Sequence, residues 1–183
     1  LSIAILAYAV GLLIGMIGAM CKLHGSTLTR GIMEGYTTLV RAVPELILIL
    51  ILFYAGTATL NQLLESSGFA SIAINGFAAA VLVLGFVQGA YSTEVLRAAM
   101  QAIPTGQMEA ARAYGMSPWL IFRRITLPSM LPYAIPGLAN LWLIGPKDTA
   151  LIAVVGYTEL ALATRQAAGN TKMYFTFFLS AGL

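Results

Sequence analysis

Apolar residues run through this chain in long unbroken stretches, separated by short charged islands. Leu1–Cys21, Leu46–Leu64, Ser66–Thr93 and Ile125–Pro146 contain no Asp, Glu, Lys or Arg. Each is about as long as the roughly 20 residues a helix needs to cross the hydrocarbon of a bilayer. The runs are continuous and do not alternate with polar positions, which predicts helices and argues against a barrel. Spans are expected near residues 1–20, 42–61, 72–95 and 125–146, with a fifth over 172–183. Thr149–Ala163 is apolar but shorter, the length of a re-entrant or interfacial segment. Such backbone is tolerated at membrane depth only against protein or a water-filled cavity, which points to a pathway nearby.

Composition agrees with the pattern. Hydrophobic residues make up 59% of the 183 positions and charged residues 9%, against about 25% charged in an ordinary soluble domain. A soluble protein with buried helices is disfavoured, because four such runs leave nothing to shield them. The chain opens and closes inside apolar runs, so the first and last spans are expected to be truncated. Leu1–Met20 lacks a basic leader and a cleavage site, and so reads as part of a span and not as a signal peptide. The net charge of +3 matters through its placement. Lys22, Arg30, Arg97, Arg112, Arg123 and Arg124 fall in one set of loops, together with His24. Glu65, Lys147, Asp148, Glu159, Arg165 and Lys172 fall in the other. The first set holds the excess of Lys and Arg, which places it in the cytoplasm.

Two local patterns concern packing. Pro128, Pro132 and Pro136 recur every four residues on one helix face, and each removes a backbone hydrogen bond, so the fourth span is expected to kink or to begin late. Gly11–Gly15 and Gly85–Gly89 are GxxxG pairs that allow close helix approach.

The stretch EAARAYGMSPWLIFRRITLP, residues 109–128, is a charged island between two apolar segments. Thr105 or Gly106 can start a short helix, and Gly115 can end it. Ser117 followed by Pro118 marks a second start, an N-cap and a preorganised first helical residue. Gln107–Tyr114 is therefore expected as a surface helix of about two turns. Ala110 and Ala111 leave it flat enough for another backbone to approach. Glu109 and Arg112, at i and i+3, can pair with each other or meet a partner's charges. A helix this short is marginal alone, so a partner holding it makes sense. On the residues alone, an ordinary solvated loop helix is an equal alternative.

The spacing of the island resembles a known motif. Glu109, Ala110, Ala111, Gly115, Ile125, Leu127 and Pro128 match the fixed positions of the EAA loop found in permease subunits of bacterial ABC importers. EGYTTLVRAVPELILILILFYAG (34–56), GAYSTEVLRAAMQAIPTGQMEAA (89–111) and LPYAIPGLANLWLIGPKDTALIAVVGYTEL (131–160) are similar to the polar amino-acid branch of those permeases, and most like the histidine, lysine/arginine/ornithine and opine importers. Ala42 follows Arg41 where the family commonly has Gly, and Gly145-Pro146 stand where it usually has bulkier apolar residues. The resemblance implies an all-α membrane protein, the transmembrane domain of a type I ABC importer, with about five transmembrane helices. It further implies a single permease domain over 1–183, multi-pass in the bacterial inner membrane, with a cytoplasmic coupling loop over about 104–124. That loop would dock on a separate ATPase subunit, which would bind the ATP and Mg, so that this chain carries no cofactor. The other implied partners are a second permease subunit, identical or different, a periplasmic or lipid-anchored binding protein, and the amino acid itself. No nucleic-acid partner is expected.

The residues bearing on chemistry agree. GxxxxGK[ST] is absent, so ATP hydrolysis by this chain is not expected. A single histidine and a single cysteine, His24 and Cys21, allow neither a metal cluster nor a Ser/His/Asp set. Charges and polar groups at membrane depth are costly and face a cavity or each other. Gln88, Tyr91, Glu94, Asp148 and Thr149 are therefore the candidates for the substrate pathway. Glu94 or Asp148 would meet the side chain of a cationic amino acid, and Thr149 or a half-helix start its carboxylate. Structural alternatives stay open: Glu94 can pair with Arg97, and Lys147 with Asp148. Arg41, Pro44 and Glu45 are expected to shape the inner end of the second span. An ion-coupled secondary transporter is the rival function, since it also uses broken helices and intramembrane charges. A membrane scaffold without transport is a third class.

Overall fold

A computed structural model describes residues 1–66, 76–155 and 160–182. The start of the expected third span at 72 and the outer-loop Glu159 lie outside the described residues. Among the described residues every regular element is helical. In chain order they are α1 (Ser2–His24), α2 (Thr27–Ala42), α3 (Glu45–Ser66), α4 (Gly76–Gln101), α5 (Thr105–Ala113) and α6 (Pro118–Ile121). A π-helical turn (Phe122–Thr126) leads into α7 (Leu127–Asp148), a 3-10 segment (Thr149–Val155), α8 (Leu160–Thr171) and α9 (Tyr174–Gly182). Among the described residues, three segments are long and apolar enough to cross a membrane: Ser2–His24, Gly76–Gln101 and Pro118–Ile152. A fourth is the broken pair of Thr27–Ala42 and Glu45–Gly56, bent by 116°.

The α1–α4 pair is the spine, and glycine makes it possible. A Cβ at Gly11 would fall 2.8 Å from Gln88 Cβ, and one at Gly15 would fall 2.5 Å from Ser92 Cβ. The fit is reciprocal: a Cβ at Gly85 would meet Val10 Cγ1 at 2.7 Å, and one at Gly89 would meet Ile14 Cγ2 at 2.6 Å. Both GxxxG pairs thus lie in one interface, where backbones approach as such motifs allow. Around this spine α4 serves as the hub of three apolar clusters. Leu84 joins Ile3 of α1, Ile49 of α3 and Ile152 of the 3-10 segment. Leu96 and Met100 join Ala19 of α1 and Met130 and Ala134 of α7. Val87 and Ala90 join Val40 of α2 and Leu48 of α3.

Three expectations are corrected. The interval before the second span, read as a loop, is the 16-residue helix α2. Ser26 caps it by accepting from Thr29 N at 3.4 Å, and Thr37 and Val40 form its buried side. Its polar residues concealed an amphipathic helix, which ends where Pro44 breaks the backbone pattern. The proline-rich fourth span does not begin late: it is helical from Pro118 through Ile152, with Pro132, Pro136 and Pro146 inside α7. The adjustment occurs upstream, where Leu127 N donates to Phe122 O, five residues back, so that a π turn takes up the register change. Lastly, α8 fills part of the region read as the loop before the fifth span, and α9 begins at Tyr174, after Lys172 turns the chain at φ 58°.

Candidate functional site

The charged island at 109–128 folds into two short helices. Helix α5 runs over Thr105–Ala113, starting earlier than the expected Gln107–Tyr114, with Pro104 and not Thr105 or Gly106 at its N-cap and no side-chain cap bond, and Gly115 lies just past its end at φ 72°. Gly115 N donates to Arg112 O at 2.9 Å and Met116 N to Ala111 O at 3.1 Å. That bond pattern is a Schellman closure, which satisfies the last carbonyls of the helix and calls for a left-handed residue. Ser117 then caps α6, its hydroxyl accepting from Leu120 N at 3.4 Å, with Pro118 in the first turn.

The motif residues divide between two sides. Ala111 is buried, whereas Glu109, Ala110 and Gly115 are exposed. Ile125 and Leu127 are half-buried on the π turn and the start of α7, and Leu127 packs with Met108 and Phe122 against the Leu96–Met130 cluster. Pro128 is exposed at the head of α7. Ser129 Oγ bonds Gln107 Oε1 at 3.1 Å, and Thr126 Oγ1 contacts Met108 Sδ at 3.8 Å. The short helix is therefore held from one end by α4 and from its side by α7. Glu109 and Arg112, expected as a possible pair, make no ion pair within the chain among the described residues. The outward side of α5 thus presents a carboxylate, a guanidinium and small residues.

A second region lies where α2 bends into α3. An open cavity of about 540 Å³ is lined by Arg41, Glu45, Gln88, Tyr91, Leu141 and Ile144, within the roughly 300–1,000 Å³ of small-molecule sites. The Arg41 guanidinium lies 5.9 Å from the Tyr91 ring centroid, close enough for a cation–π contact. Gln88 Nε2 donates to Leu141 O at 3.3 Å. Glu45 and Gln88 also line a small pocket that reaches Tyr8, Gly145 and Asp148. Gln88, Tyr91 and Asp148 thus gather around one region, and Glu45 connects its two parts.

Two candidates lie elsewhere. Glu94 faces the side of α4 that meets α1 and α2, where Lys22 Nζ binds its Oε1 at 2.5 Å and Arg97 binds its Oε2 at 2.8 Å. Thr149 is buried, and its hydroxyl donates to Pro146 O at 2.7 Å. Lys147 and Asp148 make no ion pair with each other. Sequence reasoning missed Lys22, read as a loop charge, and gave Arg41 and Glu45 only a shaping role. A signal for Lys22 was present: it continues the spacing of Gly11, Gly15 and Gly18, the side of α1 that meets α4. Among the described residues no cluster of His, Cys, Asp and Glu could hold a metal ion.

Comparison with known proteins places this geometry among relatives. The family described as "Binding-protein-dependent transport system inner membrane component" matches residues 11–183. The histidine/lysine/arginine/ornithine transport system permease protein HisQ of Escherichia coli (strain K12) is 42% identical over 183 residues, covering 100% of this chain and 80% of that one. The octopine transport system permease protein OccQ of Rhizobium radiobacter is 38% identical over 184 residues, covering 99% and 77%. Among solved structures, the crystal structure of an amino acid ABC transporter with histidines superposes with a TM-score of 0.76 at 27% identity, covering 99% of this chain and 79% of that one.

Proposed function

We propose, for a chain that belongs to the family of binding-protein-dependent transport system inner membrane components, a specific division of labour between its two regions. The protein is the permease subunit of an ABC transporter for amino acids. Its α5 helix is the dock for a separate ATPase, and the cavity at the α2–α3 bend is part of the path of the amino acid. The observation that carries the reading is the combination on α5 of an exposed Glu109–Ala110 side with a helix held by both α4 and α7. Held so, a push on α5 reaches two spans together and is not absorbed by a loose loop.

ATP and Mg belong to the ATPase partner, and this chain contributes no hydrolytic group. ATP-driven approach of two ATPases would rotate the α5 helices and turn the pathway outward, where a periplasmic or lipid-anchored binding protein delivers the amino acid. A second permease subunit, identical or similar, completes the pathway in the bacterial inner membrane. The cargo is a polar and basic amino acid. The names of the relatives, which cite histidine, lysine, arginine, ornithine and octopine, support this. So do the carboxylates of Glu45 and Asp148 beside Gln88, which suit a cationic side chain. Tyr91 and Arg41 face the adjoining cavity, and Arg41 suits the carboxylate of the cargo. Thr149 supports the α7 end from within, and Glu94 lines an adjoining open cavity that shares Arg41 and Ala42 with the first.

The test is binding-protein-stimulated ATP hydrolysis by the reconstituted complex, with Glu109→Lys beside the parent and arginine, histidine and glutamine as ligands. Stimulation in the parent that disappears in the variant is expected, with the basic ligands ahead of glutamine. If no ATPase co-purifies, or if Glu109→Lys leaves assembly and stimulation unchanged, docking through α5 is wrong. Uptake driven by an ion gradient without ATP would then favour a secondary transporter.

A further inference from the structure

The Lys22 ammonium is buried, its side chain 4% exposed, near the cytoplasmic end of α1. Three acceptors surround it: Thr37 Oγ1 at 2.7 Å, Glu94 Oε1 at 2.5 Å and Glu34 Oε2 at 3.4 Å. An ammonium has three donors and no acceptor; its two hydrogen bonds go to Thr37 of α2 and Glu94 of α4, and Glu34 of α2 adds an ion-pair contact. The connections continue in both directions. Thr37 Oγ1 donates onward to Met33 O at 3.0 Å. Glu94 Oε2 accepts from Arg97 Nε at 3.1 Å and Nη2 at 2.8 Å, and Arg97 Nη1 reaches Gln101 Oε1 at 3.0 Å.

The two ends of this chain of bonds lie at the two regions described above. Gln101 closes α4, and α5 begins at Thr105. Thr37 is one turn before Arg41, which lies over Tyr91 in the cavity, and α2 ends at Ala42 before the 116° bend into α3. Apolar contacts slide, whereas a buried ion pair tolerates few arrangements, because an unpaired charge in that setting is costly. Charge is not needed here for packing: α1 is free of Asp, Glu, Lys and Arg from Ser2 to Cys21, and its glycines together with Ile3, Ala7 and Ala19 give it its fit to α4.

We propose that Lys22 is a positioning residue for transport, tying the α2–α3 bend to the end of α4 that leads into α5. Movement of the docked α5 is thereby passed to the wall of the cavity. This inference rests on the reading of α5 as the dock and of the cavity as the path. Glu94 serves in the tie, with Arg97 holding its carboxylate in place for Lys22.

The experiment uses the whole complex, with its ATPase and binding protein, in proteoliposomes. The readout is the number of amino acids taken up per ATP hydrolysed. Lys22→Met removes the ammonium, Thr37→Val combined with Glu34→Gln cuts the α2 side while leaving Lys22 on Glu94, and Lys22→Arg keeps a donor of the same charge. Met and Val are expected to lower the ratio about fivefold or more, the lower end of ordinary coupling between sites, and Arg to recover most of it. A coupled parent whose Met and Val variants keep its ratio, or lose uptake and hydrolysis in equal proportion, overturns the tie alone. If the Met variant does not assemble, the Val variant decides by the same ratio. A parent without binding-protein-stimulated hydrolysis overturns the importer reading itself, and the tie with it.

Discussion

Gly15 of α1 lies so close to Ser92 of α4 that a Cβ on the glycine would stand 2.5 Å from the serine Cβ and 2.9 Å from its carbonyl carbon. The second of these neighbours is backbone and cannot swing aside. Gly15→Leu is therefore expected to push α1 off α4 and destabilise the purified complex by about 1–3 kcal/mol, the usual range for overpacking. A methyl group at Gly31 on α2 would meet nothing within 4 Å among the described residues, so Gly31→Ala should be neutral or stabilise by up to ~1 kcal/mol through helix propensity. Thermal unfolding of the two variants in detergent checks the contrast. Equal melting temperatures would mean that the α1–α4 contact is looser than the structure has it.

Ser92 itself is fully buried, and its hydroxyl has no hydrogen-bond partner among the described residues. A buried hydroxyl without a partner carries a desolvation cost of about 1–3 kcal/mol. Ser92→Ala is expected to hold or raise the melting temperature, the reverse of the usual effect of a core substitution. Ser92→Val adds volume against Gly15 and should lower it. A fall in stability with Ala would show that the hydroxyl is bonded in solution.

Gly115 tests the local geometry of the dock. Among the described residues no atom lies within 4 Å of a Cβ placed there, so the cost of Gly115→Ala comes only from its φ of +72°. That cost is about 1–2 kcal/mol for an L-residue in the left-handed region. Gly106, inside α5, is equally open but has an ordinary φ, and Gly106→Ala should not weaken the helix. ATPase binding, measured by titrating the purified ATPase onto immobilised permease, should weaken roughly tenfold for Gly115→Ala, as about 1.4 kcal/mol requires. It should stay unchanged for Gly106→Ala.

The cavity makes a prediction about cargo. Glu45→Gln and Asp148→Asn each remove a carboxylate beside Gln88 while keeping the shape. Uptake of arginine should fall about tenfold relative to uptake of glutamine, as the loss of roughly 1.4 kcal/mol of charge recognition implies. Competition between the two labelled amino acids in proteoliposomes measures the ratio. An unchanged preference would assign selectivity to the binding protein.

The helical class, the apolar runs and the turn chemistry around Gly115 and Ser117 were legible in the sequence because each is a local property. Composition sets the solvent, uninterrupted apolar length sets the helices, and a glycine or a capping serine acts on its own neighbours. The residues of the proposed dock were legible for the same reason: Glu109, Ala110, Ala111 and Gly115 lie within one short stretch. Helix α2 was not, since charged and apolar residues alternate there at helical spacing and resemble a loop when only long apolar runs are counted. The candidate pathway was half legible. Gln88 and Tyr91 stand out as polar groups within a span, and Asp148 as a charge at the end of one, but the residues that join them, Arg41 and Glu45, come from two other helices, α2 and α3.

The sequence by itself determined that this chain belongs in a bilayer, folds as helices and carries a short capped helix suited to docking. Tertiary structure alone decided which charges meet. Lys22 and Glu94 are 72 positions apart and come together because glycines on α1 let it lie against α4. Arg41 and Glu45 turn toward Tyr91 and Gln88 because the chain bends between α2 and α3. Pairings between distant residues depend on how helices cross, and crossing is set by side-chain fit along the whole interface, which local spacing does not encode.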